Sequence, residues 1–150
     1  MIPTLLFLAR PRHYLDPVPE FDPGTFADRW TYKRDPLWGL WDVARDPTTV
    51  LEVGGGDCVD YARLAASWLY HHTERPIGLY VMGRVHNPPG HLVVYDGERV
   101  YSTGRIREES LHAYSVRTGR AIVVRRGIRD SAALPRGYWR PSERPTDRRR

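Results

Sequence analysis

The run from Asp57 to His72 limits the fold more than any other stretch of the chain. Val59, Ala62, Ala65, Ala66 and Leu69 recur at three- and four-residue steps, which predicts a helix with one continuous apolar stripe. Asp57 is a suitable N-cap, and Asp60 in the first turn meets the positive end of the helix dipole. Pro76 marks the far end, where His71 and His72 read as capping or surface residues rather than metal ligands. Beyond it the period changes. "IGLYVMGRV", "HLVVY", "ERVYST" and, further on, "RAIVVRR" are short and rich in β-branched and aromatic residues, as strands are. A helix followed by short strands joined by tight turns predicts an α+β domain in which that helix packs on a small antiparallel sheet.

Asp96-Gly97 is a strong hairpin signal and predicts a two-residue turn. Pairing outward from it sets Tyr95 against Glu98, Val94 against Arg99, Val93 against Val100, Leu92 against Tyr101 and His91 against Ser102. His91 and Ser102 are therefore expected as cross-strand neighbours.

Upstream, prolines at 3, 11, 17, 19, 23, 36 and 47 rule out long regular elements, though not short helices. "DPLWGLWDVARD" predicts one such helix, with Asp35 as N-cap, Pro36 at the first helical position, and Leu37, Leu40, Trp41 and Ala44 on one face. The glycine cluster of "LEVGGGD" then supplies backbone freedom or close approach before the main helix. The expected organisation is a proline-rich arm over 1–34, a domain over 35–135 and a basic tail over 136–150. With 150 residues the chain is long enough for one domain with a real core.

Charge is uneven. Residues 120–150 carry ten arginines against Asp130, Glu143 and Asp147, so of the net +5 a charge of +7 sits there and −2 on residues 1–119. The tail reads as a solvated terminus, with nucleic-acid binding the less favoured alternative. No stretch has the length of a membrane span, and "MIPTLLFLARPR" lacks the basic start and cleavage site of a signal peptide; it reads as a strand or core-anchoring arm. The expected location is cytoplasmic or within a larger particle. No cofactor or metal site is implied, because one cysteine and scattered histidines lack ligand spacing.

That one cysteine, Cys58, falls at the predicted helix start, where backbone N–H groups and the dipole favour the nucleophilic thiolate. A thiolate enzyme needs a base held by a third polar group. His91 with Ser102 fits that order, and His86, before Pro88 and Pro89, is the rival base. "GDCVDYA" followed by "GHLVVYDGERVYST" resembles the transglutaminase-like branch of the papain-like cysteine enzymes, including the bacterial transglutaminase-like cysteine peptidases. The resemblance covers roughly residues 35–105. It implies a papain-like core with Cys58 as nucleophile and His91 as base, and Ser102 falls at the position of the family's acid. An indole N–H from Trp38 or Trp41 would join the backbone N–H of Cys58 as oxyanion donors, since the chain contains no glutamine.

The implied activity is a cysteine-dependent hydrolase or acyltransferase on an amide bond of a protein or peptide. Serine in place of the acid points to the alternative: an inactive fold kept as a structural or interaction module, with a protein partner in a virion or other large assembly.

Overall fold

A computed structural model describes residues 2–33, 43–83 and 90–129. In chain order the elements are β1 (Ile2–Pro3), α1 (Thr4–Ala9), a 3-10 turn (Pro11–Tyr14), β2 (Thr31–Tyr32), β3 (Val43–Ala44), α2 (Pro47–Glu52) and β4 (Gly55–Gly56). They continue with α3 (Cys58–His72), β5 (Ile77–Gly83), β6 (His91–Tyr95), β7 (Val100–Ser102), β8 (Arg105–Arg107), α4 (Leu111–Thr118) and β9 (Ala121–Arg129). The architecture is mixed α and β. Five strands form an antiparallel sheet in the order β8-β7-β6-β5-β9.

The helix predicted from Asp57 onward is α3. Its N-cap Asp57 accepts from the backbone of Val59 and Asp60, while the Asp60 side chain reaches back to the Asp57 N–H, closing a capping box. At the other end His72 Nδ1 donates to the Trp68 carbonyl, and His71 Nε2 donates to the Leu15 carbonyl. Both histidines therefore satisfy main-chain acceptors around the helix C-terminus.

Each face of the sheet has its own core, because strand side chains alternate sides. Leu79, Leu92, Val94 and Tyr101 pack against α3 through Val59, Ala62, Ala66 and Leu69. Tyr80, Met82, Val93, Tyr95 and Val100 point the other way and are covered by Leu111 and Tyr114 of α4. The N-terminal segment is woven into the α3-side core through Phe7, Leu15 and Phe21, all buried. The Arg12 guanidinium also donates to the carbonyl of Ile128, tying that segment to β9.

Two local expectations are corrected. The turn after β6 lies one residue further on, at Gly97 and Glu98, inside the bond from the Asp96 N–H to the Arg99 carbonyl (3.2 Å), with Tyr95 opposite Val100 and Val94 opposite Tyr101. The Asp96 side chain fixes the turn there by accepting from the backbone N–H groups of Glu98 (2.9 Å) and Arg99 (2.7 Å), which keeps Asp96 itself out of the turn's centre. The tight turn with two left-handed residues lies one strand later, at Thr103 (φ 38°) and Gly104 (φ 82°), and pairs Ser102 with Arg105. The helix expected up to Ala44 does not reach it: Val43 and Ala44 form β3, paired with Pro3 and Ile2. The rest of that prediction, and the basic tail of 136–150, lie outside the described residues.

Candidate functional site

Cys58 opens α3 and is held there by a chain of clearances and polar bonds. Gly54 takes a left-handed turn (φ 70°) into Gly55 and Gly56, which run parallel beside Thr31 and Tyr32. A β-carbon on Gly55 would fall on the Thr31 carbonyl oxygen, and one on Gly56 would fall on the Asp60 carboxylate. Asp60, buried, takes up most of the local donors: the Arg45 backbone N–H at 2.7 Å, Arg45 Nε at 2.9 Å and Nη2 at 2.7 Å. Trp30 completes the loop. Its indole N–H donates to the Gly56 carbonyl at 3.2 Å, its ring meets Tyr61 edge-on, and its Cβ fills the space that the missing side chain of Gly104 leaves. Cys58 itself is half-buried against the α3-side core.

His91 opens β6, and its Nε2 lies 2.7 Å from Ser102 Oγ, which lies 3.2 Å from the Tyr114 hydroxyl. The expected neighbours meet although the register differs. The observed pairing is offset by two residues from the predicted one, and a two-residue offset preserves the face, so His91 and Ser102 become diagonal instead of direct partners. Burial, reinforced by the positive charge of Arg120, lowers the proton affinity of His91 to a pKa of about 4. Near pH 7 the ring is therefore neutral. A consistent proton order runs Tyr114 O–H to Ser102 Oγ and Ser102 O–H to His91 Nε2, with the imidazole proton on Nδ1.

The pleat of β6 bears on the expected meeting of Cys58 and His91. His91 is paired with Met82, and Met82, Val93 and Tyr95 belong to the α4-side core. Leu92 and Val94, on the opposite pleat, face the α3-side core against which Cys58 packs. Strand alternation therefore puts the imidazole and the thiol on opposite sides of the sheet.

Trp38, Trp41 and His86 lie outside the described residues. Trp30, Arg45, Tyr114 and Arg120 were missed from sequence. Only Tyr114 had a readable signal, since its helix begins at Ser110, an N-cap that accepts from Ala113 N–H, and ends at the left-handed Gly119. Among the described residues no group of three or more His, Cys, Asp or Glu comes together as a metal site, and no described helix is long and apolar enough to cross a membrane. No family model, curated protein or solved structure matches the chain.

Proposed function

We propose that this chain is a transglutaminase-like module that does not run thiol chemistry through a Cys58–His91 pair and acts instead as a structural or interaction unit for a protein partner. The element order supports the fold half of this reading: a helix beginning at the cysteine, then β5, then β6 beginning at the histidine, then β7 ending at Ser102. The observation that carries the functional half is the register of β6, which by alternation sets His91 on the pleat of Val93 and Tyr95, while Cys58 packs against the core on the other face. Electrostatics point the same way. A thiolate enzyme needs its imidazolium stabilised, whereas His91 faces a neutral hydroxyl, and the charge that perturbs it, Arg120, is positive.

The test is the rate of Cys58 alkylation by iodoacetamide between pH 5 and 9, with Cys58→Ala as blank. The expected rate is no faster than a free cysteine's and is unchanged by His91→Gln. A rate about tenfold or more above free thiol at neutral pH, lost in His91→Gln, overturns the proposal and restores the enzyme. A fast rate that survives His91→Gln but is lost in His86→Gln overturns it too, with His86 as the base.

A further inference from the structure

Among the described residues β9 pairs only with β5 and no strand lies on its other edge. It is also the longest strand, with nine residues, and Val123 (61% exposed) and Val124 (37% exposed) stand in solvent beside exposed Arg125 and Arg126. Short of Ile128, whose carbonyl Arg12 already occupies, this sheet edge with its exposed valines is a template for another strand. The arrangement of charge decides which strand. No acidic residue lies between Ala121 and Arg129. A second copy laid antiparallel over residues 124–126 would bring arginine against arginine, which opposes self-pairing. The chain's own residues 130–150 hold six arginines against three acidic residues, so their charge disfavours them as occupant too.

We infer that the free edge of β9 accepts an extended acidic segment of a partner protein by strand addition, resting on the interaction-module reading above. The register of β9 on β5 specifies the segment. Arg126 lies opposite Leu79 and Val124 opposite Val81, so both are on the α3 side; Arg125 lies opposite Tyr80 and is on the α4 side. Neighbouring residues of an added strand also alternate faces. Two consecutive carboxylates thus meet Arg126 and Arg125 on the two faces, and two β-branched residues following them meet Val124 and Val123 in an antiparallel alignment. The shift in pairing between Val81 and Met82 leaves Val123 as the extra residue of a bulge, which restricts the segment to a short one. Main-chain bonds supply the attachment and the charge pairs supply the choice of partner.

The experiment uses the full chain and a labelled peptide of about eight residues carrying Glu-Glu-Val-Val at its centre, followed by fluorescence anisotropy. Saturable binding is expected, weakened about tenfold or more when lysines replace the glutamates. Arg125→Glu with Arg126→Glu should reverse the preference toward the lysine peptide; both side chains are exposed, and an unchanged melting midpoint checks that the variant folds. N-methylation of alternate peptide nitrogens should abolish binding in one phase and leave it intact in the other. Binding indifferent to N-methylation, equal binding of an oligonucleotide of matching charge, or a dimer in sedimentation without peptide would each overturn the inference. Running the alkylation assay and the titration side by side on the parent chain separates the two claims. Fast alkylation together with intact peptide binding removes the non-catalytic reading and leaves the edge site standing, whereas slow alkylation without peptide binding does the reverse.

Discussion

The two faces of the central sheet handle buried polarity in opposite ways. At the start of α3 a full carboxylate, Asp60, is buried because Arg45 and two backbone N–H groups satisfy it. On the α4 face the group is the half-buried His91, whose partner is the neutral Ser102 hydroxyl and whose perturbing charge is Arg120. Desolvation acts on both; the ion survives only where its counter-charge is built in. The carboxylate at the start of α3 thus keeps its charge, and the imidazole at the start of β6 does not.

Gly55→Val should break the α3 side most severely. Its β-carbon would occupy the position of the Thr31 carbonyl, and backbone on backbone has no side chain to move aside. We expect a loss of roughly 4 kcal/mol or more, seen as absence of a cooperative thermal transition by circular dichroism. A variant melting with the parent would dismiss the close approach between β2 and β4. Asp60→Ala comes next. It leaves Arg45 and the Asp57 N–H without their acceptor, at a cost of about 3 kcal/mol, moderated by the partial exposure of Arg45. A urea midpoint within error of the parent's would mean that the ion pair does not hold the helix start.

The α4 side predicts a smaller, pH-dependent effect. His91 binds its proton near pH 4 when folded and near 6.5 when unfolded, so between those values the unfolded chain holds more protons and stability falls as pH falls. Above 6.5 both states are neutral at this site and its contribution is level. Compared with His91→Gln, the parent should lose about 2 kcal/mol over that window, allowing for the ring's partial exposure. Parallel stability curves for the two proteins would show that His91 is not held neutral by its surroundings.

Legibility from sequence followed the range of the forces involved. α3 could be read because its cap, capping box and apolar stripe are all contained within Asp57–His72. β5, β6 and β9 were readable from composition, but the side on which each residue lies was not. "HLVVY" is nearly all apolar because both faces of β6 are covered, so no alternation in the sequence marks the face on which His91 lies. The hairpin register escaped for a different reason. Asp96 acts through its side chain, bonding Glu98 and Arg99 on one oxygen and Arg75 and Tyr101 on the other, and dipeptide preference carries no trace of those distant partners. Trp30, which joins the loop before α3 to the turn after β7, had no local signature at all.

The bond from Arg12 to the Ile128 carbonyl bears on how the chain matures during synthesis. Its ends are 116 residues apart in sequence, so this tether of the N-terminal segment forms only once β9 has left the ribosome, after the contacts with β3 and α3 have become available. Until then Phe7, Leu15 and Phe21 have only part of their final surroundings and remain available to chaperones or to other nascent chains. Contacts of such long separation slow folding more than they alter final stability. The last steps of assembly therefore involve the first residues made, and a ribosome stalled shortly before codon 128 would present those three side chains as a sticky, protease-sensitive end.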